Sequence, residues 1–227
     1  MPDVHAIVFN LSYILALMRP RKLWTDSKSQ SFQESFVLNA TNEKSGGFYI
    51  EVGSNHPNAF SNTYLLESRF DWKGLGLEIS KRLVDEYNYV RKNLAICADA
   101  TSIDYLSLFK EHGCPQQMDY LQLDIEPSIQ TLLALKAIPF EKYAFSVITF
   151  EHDLYTDSKN VEIQNEAFLI LRRFGYKRLI KGVSSKGNNY EDWYVHPDLI
   201  DDDFIQAWNS TKEQVDDTEL FSNSMLV

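Results

Sequence analysis

From Gly47 to Gly175 the sequence alternates between short runs rich in apolar, β-branched and aromatic residues and stretches with helical spacing. Phe48 to Val52, Gly74 to Ile79, Leu94 to Ala98, Met118 to Ile125 and Phe145 to Phe150 are the strand-like runs. Runs of this kind belong to strands buried on both faces. Between them, Leu83, Tyr87 and Val90 fall on one helix face, and Ser102 to His112 stops at Gly113. Ile129, Leu132 and Leu133 form a further apolar face ahead of Pro139, and Ala167, Leu171 and Phe174 lead to Gly175. Such glycines are suited to the left-handed turn that ends a helix. Strand–helix alternation at this spacing predicts right-handed βαβ units, and therefore an α/β domain around a mostly parallel sheet.

After Gly175 the pattern changes. Tyr176 to Val183 and Asp192 to Val195 are joined only by a short polar loop, Ser184 to Asn189. Parallel strands need a crossover of a dozen or more residues, so this pair is expected to be antiparallel. Residues 1–46 read as a helical and irregular lead-in, 47–212 as the α/β domain, and 213–227 as an acidic tail that frays. Ile7 to Met18 is apolar but too short to span a membrane, and its basic residues follow it rather than precede it as in a signal peptide. A packed helix is the expectation there, with surface anchoring as the minor alternative. Two cysteines, Cys97 and Cys114, form no disulfide framework, so the chain reads as cytoplasmic. A net charge of −10 argues against nucleic acid as a partner.

In an open α/β sheet, ligands bind beyond the carboxyl ends of the strands. Each strand-like run here reaches a carboxylate at that end: Glu51 before Gly53, then Glu78, Asp99, Asp124 with Glu126, and Glu151-His152-Asp153. Any one of them is as readily a helix cap or a solvated loop acid; the set is harder to dismiss. The first loop, Gly53-Ser54-Asn55-His56-Pro57, has no second glycine for a pyrophosphate and no Walker lysine. It suits a cofactor that lacks phosphates and carries positive charge, such as S-adenosylmethionine. Glu78 stands about 25 residues beyond Gly53, near the spacing at which such folds place a carboxylate on a ribose diol.

Three blocks, Phe48-Tyr49-Ile50-Glu51-Val52-Gly53, Ser61-Asn62-Thr63-Tyr64-Leu65-Leu66-Glu67 and Trp72-Lys73-Gly74-Leu75-Gly76-Leu77-Glu78, resemble the FkbM-type methyltransferases in order and spacing. Asp119-Tyr120-Leu121-Gln122-Leu123-Asp124-Ile125-Glu126 and Tyr190-Glu191-Asp192-Trp193-Tyr194-Val195-His196-Pro197 extend the resemblance over residues 47–200. It implies the class I methyltransferase (Rossmann-like) fold, a sheet of about seven strands with the last antiparallel. It also implies S-adenosylmethionine as cofactor and a hydroxyl of a sugar or natural product as acceptor. On that resemblance Glu51 and Gly53 flank the methionine end, Glu78 binds the ribose, and Asp99 accepts from the adenine amino group. Ser61 and Asn62, opening the first helix, donate to the cofactor carboxylate or simply cap the helix. Asp124 completes the cofactor set. The first loop departs from the commoner glycine-rich form.

Methyl transfer to oxygen needs alignment and removal of the acceptor's proton. His152 is one candidate general base. The other arrangement places a divalent cation, Mg²⁺ or Ca²⁺, on Asp124 with Glu151 or Asp153. Glu151-His152-Asp153 is otherwise a polar strand exit. His56 and Asn58 are candidate acceptor-side groups, and Trp193 reads as core. Two other classes remain open: a metal-dependent hydroxylase of related fold, for which His196-Pro197-Asp198 supplies the one HxD, and a nonenzymatic partner-binding domain. The partner read from sequence is a small-molecule or glycan acceptor; the oligomeric state is not legible.

Overall fold

The computed structural model describes residues 21–210, 212–222 and 224–227; the apolar run Ile7 to Met18 lies outside them. An eight-stranded sheet forms the frame. In chain order its strands are β2 (Phe48–Val52), β3 (Lys73–Glu78), β4 (Leu94–Cys97), β5 (Gln117–Leu123), β6 (Ala144–Glu151), β7 (Lys177–Ser185), β8 (Asn188–Val195) and β9 (Val215–Asp216). Their order across the sheet is β4-β3-β2-β5-β6-β8-β7-β9. β2 to β6 pair in parallel, whereas β8 runs antiparallel to both β6 and β7. This is the expected α/β sheet, mostly parallel with an antiparallel C-terminal hairpin. The hairpin is longer than its apolar core suggests. Ser184↔Asn189 and Ser185↔Asn188 pair, so the polar residues expected to form a loop are strand, and only Lys186 and Gly187 turn.

Side chains alternate between the two faces with period two. On β2, Ile50 and Val52 join one core cluster and Tyr49 the other; on β6, Ile148 and Phe150 oppose Val147. The first face is covered by α4 (Tyr105–Glu111), α5 (Ser128–Ala137) and α6 (Asn160–Arg173), through Phe109, Leu135 and Leu171 among others. The second is covered by α1 (Gln33–Ala40), α2 (Tyr64–Phe70) and α7 (Asp202–Trp208), through Phe36, Leu66 and Trp208. Between β3 and β4, α3 (Lys81–Val90) buries Val84 and Tyr87. Burial on both faces is why the parallel strands read as near-continuous apolar runs. No helix among the described residues is long and apolar enough to cross a membrane.

The ends of the chain dock on this second face. β1 (Lys22–Leu23) pairs with β10 (Met225–Leu226), and β9 adds to the sheet beside β7. Arg21 donates to the carbonyls of Leu220 and Ala207 and lies 4.2 Å from the centre of the Trp208 ring. Val215, Leu220, from the one-turn helix α8 (Asp217–Leu220), and Phe221 are buried. The acidic C-terminal segment is therefore packed rather than frayed: Glu213 and Glu219 face water, Asp217 is buried against Ser31, and Val215, Leu220 and Phe221 turn inward. Phe221→Ala is expected to cost ~3 kcal/mol in urea unfolding, as for a core aromatic, and a loss below ~0.5 kcal/mol would mean that the segment is not packed.

Candidate active site

The chain reverses its strand order between β2 and β5, so the segments leaving them diverge to opposite faces. Gly53 follows β2 with φ 84°, and a β-carbon there would stand 1.7 Å from the carbonyl oxygen of Asp124. Only glycine lets these two strand ends meet. Beside this contact opens a cavity of about 510 Å³. Gly53, Glu78, Asp99 and Asp124 all line it, four of the residues marked in the sequence, together with Glu126. Apolar walls come from Leu77, Ile79, Leu83, Ala98 and Ala100. Among the described residues no lysine or arginine lines it, which matches a ligand without phosphates.

Glu78, at the end of β3, is held by two backbone donors, Asn55 N to one oxygen at 3.1 Å and Ser80 N to the other at 2.8 Å. Each oxygen keeps a further lone pair for a ligand hydroxyl. Beside it Ile79 is 70% exposed, a flat apolar surface at the cavity mouth. Asp99 is exposed and accepts from the Thr101 hydroxyl and amide, contacts that hold its carboxyl below the usual range.

Glu51, Ser61 and Asn62 are placed elsewhere. Glu51 is buried behind the loop, accepting from Thr63 Oγ1 at 2.8 Å and, at 3.4 Å each, from Ser61 and Tyr87. Ser61 and Asn62 precede α2, a helix of seven residues whose N-terminus has no side-chain cap, and neither lines the cavity. Arg91 binds this group together: it donates to Glu67, Ser61, Thr63, Tyr49 and the Pro57 carbonyl. Asn58 and His56 belong to the same loop, with His56 Nδ1 accepting from Asn58 N and Nε2 facing Glu86.

The assignment of His152 as base is not supported by its surroundings. The ring is fully buried, its Nδ1 accepts from Leu154 N at 3.2 Å, and Nε2 faces Asp192 Oδ1 at 3.4 Å. Asp192 is buried too; burial alone would raise its pKa, but His152 and Arg178 hold it low. His152 thus belongs to a buried polar group with Gln164 and Asp192 behind β8. His196-Pro197-Asp198 lies at the far end of the sheet, because β8 is antiparallel and His196 N donates to Ser146 near the start of β6. Its ring packs edge-on to Tyr176.

At the cavity's other side the carboxyls gather. Burial raises Asp124 to about 6, with the charges of Asp153 and Glu126 adding to the shift. Glu151 is raised well above its usual range by burial and then by Asp124, and it hydrogen-bonds both Asp124 and Asp153. Glu191, register partner of Glu151 on β8, is pushed up to about 8 by burial, and its Oε2 accepts from Trp193 Nε1 and Gln33 Nε2. Glu191 escaped notice in the sequence because it opens a strand that runs backwards. Asp124, Glu151 and Asp153 do come together, with Glu151 between the other two. Among the described residues no group of three or more His, Cys, Asp or Glu is arranged to hold a metal ion.

These shifts fix a pH dependence. Glu34, Asp124 and Glu191 have folded pKa values of about 7, 6 and 8, above those of the unfolded chain. The folded state therefore binds more protons, and the associated stability is complete below about pH 4 and lost as pH rises through 6 to 8. Carboxyls with depressed values, Asp99 and Asp104 among them, act in the opposite direction at lower pH. Tm is expected to peak near pH 5 and fall by roughly 5–10 °C by pH 9. Glu191→Gln should flatten that fall in scanning calorimetry; an unchanged slope would contradict the assignment.

No family model matches the chain, and no curated protein matches it in sequence. Among solved structures it is similar to the N-methyltransferase NodS from Bradyrhizobium japonicum WM9, with a TM-score of 0.48 and 10% identity over 73% of this chain and 94% of that one. It is also similar to a TehB-like SAM-dependent methyltransferase from Corynebacterium glutamicum, with a TM-score of 0.43 and 13% identity over 72% and 87% of the two chains. For the N-terminal domain of EvdMO1, determined in the presence of SAH and D-fucose, the values are 0.45, 13%, 75% and 84%. Likenesses this distant carry no assignment of activity.

Proposed function

We propose that the chain is an S-adenosylmethionine-dependent methyltransferase acting on a hydroxyl of a sugar-like or natural-product-like small molecule, related to the FkbM type. The observation that carries this reading is the cavity at the strand-order switch, with Glu78 at its mouth and, among the described residues, no cation to meet a phosphate. The residues present fit the cofactor. Glu78 offers an acceptor for each hydroxyl of a ribose, and Ile79, Leu83, Ala98 and Ala100 make an apolar slot for a purine, with Asp99 at its edge. Gly53 and Asn55 face the remaining length. Glu51, Ser61 and Asn62 contribute by shaping the loop that carries them.

When bound, S-adenosylmethionine supplies a methyl group already activated for in-line displacement. The chain's own task is to orient the acceptor and take its proton. Asp124 is placed for both, since it lines the cavity and its carboxyl titrates near 6, close to the range in which a general base is most effective. Glu151, hydrogen-bonded behind it, orients Asp124 and steadies the charge it gains or loses. The divalent cation considered from sequence finds no arranged ligand set among the described residues, and no step is routed through one.

Calorimetric titration with S-adenosylhomocysteine is expected to give saturable binding, with NAD silent. Glu78→Ala should weaken it at least ~30-fold, the loss of about 2 kcal/mol of charge-assisted hydrogen bonding. Wild-type protein that takes up no S-adenosylhomocysteine would refute the cofactor reading. Asp124→Asn should bind the cofactor yet lower kcat by ~100-fold. His152→Ala should instead act on stability, leaving the residual kcat of the folded fraction within a few fold.

A further inference from the structure

The two loops at the strand-order switch use their own amides. After β2, Gly53 N and Ser54 N both donate to Leu77 O, and Asn55 N donates to Glu78 Oε2. After β5, Asp124 N donates to Val52 O at 3.0 Å, Ile125 N to Thr131 Oγ1 at 3.0 Å and Gln130 N to Pro127 O at 2.7 Å. Residue 127 is itself a proline, with no N–H to give. In sheets of this kind, amides at these positions meet the anionic part of a ligand. Here each already has an acceptor within the chain.

The rest of the lining offers little to an anion. Ser61 and Asn62 do not line the cavity, and the hydroxyl and amide of Thr101 are given to Asp99. Among the described residues the lining holds no lysine or arginine, and its side-chain N–H donors are the amides of Asn55 and Gln130. Asp124 and Glu126 stand on the same stretch of lining. An amino-acid arm on an adenosine therefore meets two unlike receptions. Its ammonium finds carboxyls of opposite charge. Its carboxylate finds the same carboxyls, and the amides that could offset the repulsion are already bonded. The two ends of the ligand are also linked, because Asn55 N cannot turn to a carboxylate without leaving Glu78.

We propose that the cavity selects adenosine thioethers and sulfoniums whose side arm ends in an ammonium group and carries no carboxylate, so that a decarboxylated form of the cofactor binds more tightly than the amino-acid form. The nucleoside half of this selection rests on the S-adenosylmethionine reading; the preference along the arm follows from this chain's own loops. Glu78 and the apolar slot hold the nucleoside, and Asp124 and Glu126 face the ammonium. The amino-acid carboxylate, where present, opposes binding rather than adding a contact.

Three thioethers share the nucleoside and differ in the arm: 5′-methylthioadenosine, S-adenosylhomocysteine, and the aminopropyl thioether that is the decarboxylated form of the latter. Each is titrated calorimetrically against the full chain near neutral pH, above the value of about 6 for Asp124. The aminopropyl compound is expected to bind at least ~10-fold more tightly than S-adenosylhomocysteine, which should stay within ~3-fold of methylthioadenosine. Added salt should narrow the preference. Glu126→Gln and Asp124→Asn should each reduce it at least ~3-fold while leaving the affinity for uncharged methylthioadenosine unchanged, which also shows that the variants are folded. Amino-acid and aminopropyl compounds of equal affinity, tighter binding of S-adenosylhomocysteine, or a preference untouched by both substitutions overturns the proposal and leaves the cofactor reading standing. Failure of all three thioethers to bind overturns both.

Discussion

The contact on which the site depends is the one between Gly53 and the Asp124 carbonyl. A β-carbon at Gly53 would lie 1.7 Å from that oxygen, so the ends of β2 and β5 are in contact through bare backbone. The contact holds the segments after β2 and β5 together just where α2 and α5 leave for opposite faces of the sheet. It also fixes Asp124 relative to Glu78, because Gly53 N and Ser54 N both donate to Leu77 O, one residue before Glu78. One close approach thus sets the separation of the carboxyl assigned to the cofactor and the carboxyl assigned to the acceptor.

The loop that follows Gly53 is tied down from behind. Arg91 is buried beneath it and spans Glu67, Tyr49, Thr63, Ser61 and the Pro57 carbonyl, while Glu51 accepts from Ser61 and Thr63. A buried guanidinium is tolerable only when its donors are satisfied, and here they are. The network explains why Glu51 is a carboxylate inside an otherwise apolar strand. Its oxygens accept from Thr63, Ser61 and Tyr87 while burial raises its pKa, and a rigid loop is what lets Gly53 and Asn55 present a fixed backbone to the cavity.

The parts of the site legible in the sequence were those that follow a parallel strand. In β2 to β5 the residues at or just past the C-terminal end of each strand line the cavity, so Glu78, Asp99 and Asp124 could be picked out by reading strand ends. Glu51 satisfied the same pattern one residue too early in its strand, and period-two alternation turned it beneath the loop. β8 inverts the rule. Its start, with Glu191, adjoins Glu151, while its end carries His196 to the opposite pole. His152 misled for a related reason, since the residue after Glu151 must point to the other face, and there it meets Asp192.

The same inversion gives the two chain ends a part in the chemistry. Glu191 is kept on the reaction side by Gln33, at the first turn of α1, and Ser31 just before it donates to Asp217 near the C-terminus. Glu34, next along, accepts from Leu65 and Ser27 and is itself raised to about 7 by burial. Residues 31–34 thus add Glu34 and the Gln33 donor to a row of buried carboxyls that includes Glu191, and Ser31 ties them to Asp217. Water would restore their ordinary acidity. Burial holds Glu34 at about 7 and Glu191 at about 8, so both carry protons near neutrality. What reads in the sequence as flanking material supplies Glu34 itself and the donor that holds Glu191.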